Sequence, residues 1–493
     1  MSNFENINNS KIIGIQFSML SPEEIRKGSV AEITNRDMYS NNAPVVNGLF
    51  DSRMGVLEKG LICPTDGKDY MDTPGYFGHI ELARPVFFIQ YLNTIQKILR
   101  CVCFKCSRLL ISKMKHKHIL KLDAQQRWKF VFNRCKTIKR CGEDSDDGCG
   151  WLQPKKYKKE GIASLYADWN SPKENNEIDD EDEKNNLIPL YPELVLKIFK
   201  RIPDEDVYFM GFSPIWSRPD WMICQVLPVP PPAVRPSVKH DAQQRSEDDL
   251  TYILVNILRN NQQLSEKIKL NAKEDSINDI TMILQYYVAS LVNNKLPGAG
   301  PVAQRSGRPL KAITDRLNGK SGRMRSNLMA KRVDFSARSV IGAEPNISIR
   351  EIGVPKKIAM NVTKPVIVND LNRDFLMKLI QNGPDVWPGA KILERQNGEN
   401  ITLRYLDRKT ITLQNGDIVH RHMMNGDYVL FNRQPSLHRM SMMGHIARIM
   451  MQGDTFRMNV ADTKPYNADR PNQKLSHNFV EVGNREHEKC VTL

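Results

Sequence analysis

A chain of 493 residues with 40% hydrophobic content and a mean hydropathy of −0.47 is long enough for about two to four domains with buried cores, and no run of about 18 apolar residues would cross a bilayer. The N-terminus MSNFENINNSK lacks an apolar signal core, and nine cysteines, an odd number clustered mainly between Cys101 and Cys149, fit metal binding in a reducing, intracellular compartment better than a secreted disulfide framework. The formal charge of +15 points to a polyanionic partner, and the distribution of the cations decides where it binds.

In chain order, residues 12–17 are strand-like, and Ser21-Pro22 can start a short helix. Residues 75–78 read as a turn held by aromatic packing, and His79 beside it reads as structural. Cys103-x2-Cys106 is followed, after a basic helical segment, by Cys141 and Cys149. Four thiolates can close a tetrahedral zinc shell, and a pair two apart makes a knuckle. The second pair is spaced more widely than usual, so four ordinary thiols are the alternative. Cys101 and Cys135 have no place in that set and are expected in a core. Basic runs at 113–117, 136–140 and 155–159 are solvated faces or contacts to a nucleic-acid backbone, and the acidic stretch 170–186 reads as a solvated, mobile loop.

A helix is expected over 193–201, then a corner at Pro203, then a strand running into the proline-stiffened VPPPAVRP. Leu250, Ile253, Leu254, Ile257 and Leu258 share one helical face, and Ile280, Ile283, Leu284, Tyr287, Val288 and Leu291 share another, which predicts a helical hairpin. Between Arg305 and Arg338 stand ten Lys or Arg residues and two acids, interleaved with glycine and serine. Cations presented from turns and short strands suit an irregular path of phosphates, with little sequence preference and strong salt dependence. Beyond this a helix is expected near 374–381, and strands in ITLRYLDRKTITL and GDIVHRHM. His420, His422 and His438 lack the further ligand types of a metal site. Short apolar runs at 428–431, 446–451 and 456–460 alternate with polar corners, a compact β-rich pattern that puts Arg433 and Tyr466-Asn467-Ala468-Asp469 on strand-flanking loops. The polar tail after Asp469 reads as disordered.

FNRQPSLHRMSMMGH followed by GDTFRMNVADTKPYNAD resembles the active-site barrel of the largest subunit of multisubunit DNA-dependent RNA polymerases, of the eukaryotic RNA polymerase II type. GKSGRMRSNLMAKRVDFSARSVI is similar to that family's switch region below the RNA–DNA hybrid. The resemblance implies a multidomain α+β fold. Residues 1–230 would form the clamp, with a zinc knuckle at 101–150, and 231–310 the lid, helical hairpin and rudder. The basic switch region would cover 311–345, and the dock with part of a double-psi β-barrel 346–469, leaving 470–493 as a divergent tail. It implies templated transfer of ribonucleotides from NTPs to an RNA 3′ end. In that role Arg433 and Asn467 would lie beside the incoming ribose, Lys320, Arg325, Arg332 and Arg338 would contact DNA, and Cys103, Cys106, Cys141 and Cys149 would hold Zn²⁺.

The sequence departs from the family in two places. The family continues N-A-D-F-D-G-D, three aspartates holding Mg²⁺, whereas here Asp469 is followed by Arg470, Pro471 and Asn472. One carboxylate leaves the octahedral shell mostly to water, so the chain is expected to be incomplete and inactive alone, through an unspliced intervening sequence or a split gene. The family's first clamp knuckle, C-x2-C-x6-C-x2-H, falls on Cys63, Asp66, Thr73 and Tyr76, a poor zinc set. That loss suggests a divergent lineage such as a large DNA virus, which leaves nucleus, viral factory and virion as compartments. The implied partners are the second-largest subunit, smaller subunits, template DNA, the RNA–DNA hybrid and NTPs, without a membrane. The alternative is a non-catalytic nucleic-acid-binding or assembly protein built on the same fold.

Overall fold

The computed structural model describes residues 13–15, 17–40, 43–145, 147–169, 187–241, 244–468 and 479–484. It divides into two compact units, Met1–Met329 and Ala330–Leu493. The acidic stretch 170–186 lies outside the described residues.

In the first unit the helix Pro22–Gly28 begins as expected, with a reciprocal capping box in which Ser21 Oγ accepts from the Glu24 amide and Glu24 accepts from the Ser21 amide. The strand expected at 12–17 is not formed at the residues described there, which are exposed and pair with no strand among the described residues. One core forms around the antiparallel strands Gly78–Phe87 and Ile223–Val229, against which Asp249–Lys269 and Glu274–Val292 pack. Asp248 caps the longer helix by accepting from the Leu250 amide at 2.9 Å. Its predicted apolar face is buried throughout, while on the second helix the buried stripe is narrower than predicted, because Ile283 is 46% exposed. The proline-rich run ends on Arg235, a fully buried guanidinium that donates to the carbonyls of Pro230 and Leu49 and lies over the Phe50 ring. That tie makes the run internal structure, not a linker.

A second core joins the helices Leu92–Cys101, Ala124–Cys135 and Pro192–Lys200 to a three-stranded antiparallel sheet of Lys156–Glu160, Ser164–Asp168 and Leu187–Leu190. Cys101 and Cys135 are buried there, as expected.

The second unit is a closed six-stranded barrel with a small sheet beside it in the chain. The barrel order is Ala337–Ala343, Phe456–Met458, Glu351–Pro355, Met442–Met450, Tyr428–Arg433, Phe479–Asn484 and back to the first. Closure leaves no unpaired sheet edge. Inside lie Ile352, Val354, Val429, Phe431, Ala447, Phe456 and Tyr466. Two features differ from the sequence reading. The first barrel strand starts within the stretch read as switch region. The stretch read as a disordered tail supplies Phe479–Asn484, so the barrel closes where an incomplete one was expected. Strand addition uses backbone donors and acceptors, so a short stretch within a polar tail can complete a sheet.

Thr363–Ile367, Ile418–His422, Ala390–Glu394 and Asn400–Thr402 form a separate four-stranded sheet covered by the helix Arg373–Asn382. The extended strand expected through 401–413 stops at Thr402, because the Arg408 guanidinium donates to the carbonyls of Leu403 and Asn382 and folds the chain back.

Candidate functional site

Alternation along Met442–Met450 turns His445, Ala447 and Ile449 into the barrel. The neighbouring strand Tyr428–Arg433 carries Phe431 inward and ends on half-buried Arg433. The chain leaving the barrel at Phe456–Met458 is held by Asn459, whose Oδ1 accepts from the Ala461 amide and whose Nδ2 donates to the Ile347 carbonyl. It then makes a turn in which the Asn467 amide donates to Lys464 O and the Ala468 amide to Thr463 O. Asn467 takes φ +48, a left-handed conformation that asparagine tolerates better than most residues, and is exposed.

The two residues expected beside the ribose are brought to one place. Arg433 Nη1 donates to the carbonyl of Tyr466, the residue preceding Asn467, at 3.1 Å. Asp469 lies outside the described residues.

Beneath this surface is a polar cluster that sequence reading missed. Tyr466 is fully buried, and its hydroxyl is 2.8 Å from His445 Nε2. Burial lowers the His445 pKa, opposed by Asp462, and raises those of Tyr466 and Asp462, so the histidine and tyrosine are neutral at physiological pH. The position of His445 in the apolar alternation of MMGHIARIM was the available signal. His438 is exposed, and no metal set forms around it or around His420 and His422 among the described residues.

Lys320 sits in an exposed turn of the first unit, and Arg325 is exposed on the short helical segment Met324–Leu328. Arg332 and Arg338 are exposed in the second unit, Arg338 on the first barrel strand. In the same run Arg308 pairs with Asp249 at 3.0 Å and Arg316 with Asp248. These two cations therefore fasten the helix N-terminus and offer less charge to a ligand. The cations come from turns, a strand and two short helical segments, Arg316 on Ile313–Leu317 and Arg325 on Met324–Leu328, where turns and short strands were expected.

Cys103, Cys106, Cys141 and Cys149 converge, with all four sulfurs within 4.8 Å of one another. Cys103 and Cys149 are 3.5 Å apart, and Cys106 and Cys141 3.7 Å. A metal bound by thiolates at about 2.3 Å in a tetrahedron holds its sulfurs roughly 3.8 Å apart, so the donor set fits. The first pair sits on a loop in which the Cys103 amide donates to Arg108 O at 2.8 Å and the Ser107 amide to Cys103 O at 2.9 Å, with Ser107 at φ +61. In the second pair the wide spacing is absorbed where Gly148 lies on Gly142. Gln153 Nε2 donates to Cys103 Sγ at 3.2 Å from outside the set. Burial raises the Cys141 and Cys106 pKa values. Burial opposes ionisation of Cys149 as well, yet the Trp151 amide and the three neighbouring thiols draw its pKa down to about 7.

The stretch around Cys63 repeats this loop without a thiolate set. The Cys63 amide donates to Lys68 O at 2.9 Å and the Gly67 amide to Cys63 O at 2.8 Å, with Gly67 at φ +69. The Asp66 carboxylate stands in the middle, accepting from Thr73 Oγ1 at 2.9 Å, Tyr76 OH at 3.2 Å and the Lys68 amide at 3.1 Å. Desolvation opposes its charge, but these bonds hold the carboxyl below the usual range. The turn at 75–78 is therefore held by a carboxylate and not by aromatic packing, and Phe77 is 54% exposed. His79 is structural as expected, its Nδ1 2.7 Å from Ser29 Oγ.

Residues 9–328 match the family described as RNA polymerase Rpb1, domain 1, and residues 330–472 match RNA polymerase Rpb1, domain 2. The chain is 42% identical over 472 residues to the DNA-directed RNA polymerase II subunit RPB1 of Euplotoides octocarinatus, an alignment spanning 93% of this chain and 96% of that protein.

Proposed function

The chain belongs to the Rpb1 family of RNA polymerase largest subunits, and from that premise we propose that it works in a DNA-directed RNA polymerase, adding ribonucleotides to an RNA 3′ end on a DNA template. The observation that carries the site assignment is the bond from Arg433 to the Tyr466 carbonyl, which draws a guanidinium to the loop presenting Asn467. A cationic donor and an amide able to donate and accept can together sense a ribose 2′-hydroxyl.

In this reading the barrel is the family's double-psi β-barrel, and the Val238–Lys239 and Arg245–Ser246 hairpin is the lid. The turn around Ala303 and Pro309 is the rudder, and residues 1–230 are the clamp. Lys320, Arg325, Arg332 and Arg338 hold the nucleic-acid backbone, which carries one charge per phosphate and no sequence information. The four thiolates hold a structural zinc that joins two segments of the clamp far apart in sequence. Asp469 is the first carboxylate for the magnesium, which when bound activates the RNA 3′-hydroxyl and steadies the leaving phosphates. A second large subunit and smaller subunits complete the cleft, in a nucleus.

The test is RNA extension by the complex purified through a tag on this chain and supplied with a C-terminal fragment beginning F-D-G-D, on an RNA–DNA scaffold with ribonucleoside triphosphates. Magnesium-dependent extension is expected, and Arg433→Ala lowers it about 100-fold by misplacing the nucleotide. A complex that holds the scaffold tightly and extends nothing would favour the non-catalytic alternative.

A further inference from the structure

We propose that His445 and Tyr466 are positioning residues, a buried pair that fixes from inside the barrel the loop presenting Asn467 and the carbonyl that orients Arg433. The proposal rests on Arg433 and Asn467 being the ribose-sensing pair.

Tyr466 and Asn467 are adjacent, yet the first is fully buried and the second exposed, so any displacement of the tyrosine is passed directly to the asparagine. Tyr466 is held by its ring, its hydroxyl and its carbonyl, and the hydroxyl also reaches the Phe431 carbonyl at 3.5 Å. Its ring stands edge-on to Phe431 at a centroid distance of 5.2 Å and an interplanar angle of 77°. Its hydroxyl meets His445 Nε2 at 2.8 Å. Its carbonyl accepts from Arg433 at 3.1 Å. Phe431 lies two residues before Arg433 on the same strand and also touches His445, at 5.9 Å. One side chain thus ties together the strand that delivers the guanidinium, the strand that carries His445 and the loop that delivers the amide.

An apolar pair would fill this space at lower desolvation cost. Apolar contacts tolerate sliding, however, whereas an O–H and N pair at 2.8 Å is directional and fixes the depth of the ring. Nucleotide selection needs that restriction, since misplacement by about 1 Å can cost roughly 100-fold in rate. Asp462 acts electrostatically on both members of the pair, and one of its carboxylate oxygens is buried without a hydrogen-bond partner among the described residues.

The experiment compares variants in the purified polymerase complex, measuring kcat and KM for matched ribo- and deoxyribonucleoside triphosphates. Tyr466→Phe keeps the ring and removes only the hydroxyl. It is expected to lower the ribo-over-deoxy preference about five- to tenfold, mainly through a higher KM for the ribonucleotide, with the thermal midpoint little changed. His445→Leu should match it. His445→Gln, whose amide can reach the same hydroxyl, should restore the preference to within about twofold. Tyr466→Phe added to Arg433→Ala should cost less than it does in the unaltered chain, because only its effect through Asn467 remains. An unchanged preference in Tyr466→Phe, with a loss in Asn467→Ala, overturns the positioning role. An unchanged preference in Asn467→Ala and Arg433→Ala overturns the ribose-sensing reading itself.

Discussion

The Cys103 sulfur lies 3.5 Å from that of Cys149 across 46 positions of sequence. The second half of the set reaches that point only because Gly148 presses on Gly142. A Cβ at Gly148 would stand 2.1 Å from the Gly142 Cα, against backbone that cannot swing aside. Gly148→Ala should therefore open the loop neck and withdraw Cys149 from the set. Zinc measured by mass spectrometry on the purified chain is expected to fall from one equivalent to well below it. Full retention of zinc would mean that the neck is dispensable.

The loop at Cys63 predicts the opposite response to metal. Chelation should loosen 103–149 and leave 63–76 protected from amide exchange, because Asp66 and not an ion gathers that loop. Asp66→Ala should speed exchange at 63–76 with zinc content unchanged. Since the backbone is already knuckle-shaped, Asp66→Cys with Thr73→Cys and Tyr76→His should raise the chain to two zinc equivalents. A single equivalent in that triple variant would show that the two loops are alike only in their amide bonds.

The exposed cations predict a salt effect. Replacing Lys320, Arg325 or Arg332 singly with alanine should weaken scaffold binding similarly for all sequences and reduce the slope of log affinity against log salt by about one unit each. Arg308→Ala and Arg316→Ala should instead lower stability, with smaller effects on that slope, because each is paired with an aspartate at the start of Asp249–Lys269. Equal slopes for the two groups would contradict this division.

His422 predicts the pH response of the second unit. It is fully buried, neither ring nitrogen has a hydrogen-bond partner among the described residues, and burial lowers its pKa to about 4, assisted by Lys391 and opposed by Asp385. A folded-state value below the unfolded 6.5 means that folding favours the neutral ring. Its contribution is complete above pH 6.5 and is lost as the pH falls through that value toward 4. Urea midpoints should drop between about pH 7.5 and 5, and His422→Leu should flatten that part of the curve. An identical drop in the variant would assign the effect to other groups.

Much of the site was legible in the chain. Arg433 and Asn467 were marked by a long contiguous motif, the four cysteines by their clustering, and the first hairpin helix by an apolar repeat that is buried throughout. What was hidden depends on partners distant in sequence or on backbone alone. The strand Phe479–Asn484 pairs with Ala337–Ala343 across the whole second unit, and its short apolar run FV-x-V is set within an otherwise polar tail. The Asp66 hub is built from three residue types that singly mean turn, loop and surface. The His445 and Tyr466 pair needed the barrel to close before two separated residues could meet. Conversely, ITLRYLDRKTITL looked strand-like throughout, and one arginine reaching across to the Asn382 and Leu403 carbonyls overrode local propensity.

The central claim, that the second unit's barrel receives the growing RNA end, is tested most directly by crosslinking. An RNA–DNA scaffold with a photoreactive 3′-terminal ribonucleotide is bound to the purified complex, irradiated, and the labelled peptides of this chain are sequenced. Crosslinks are expected within the stretch running from Arg433 to Asn467. Crosslinks confined to residues 1–329 would contradict the account.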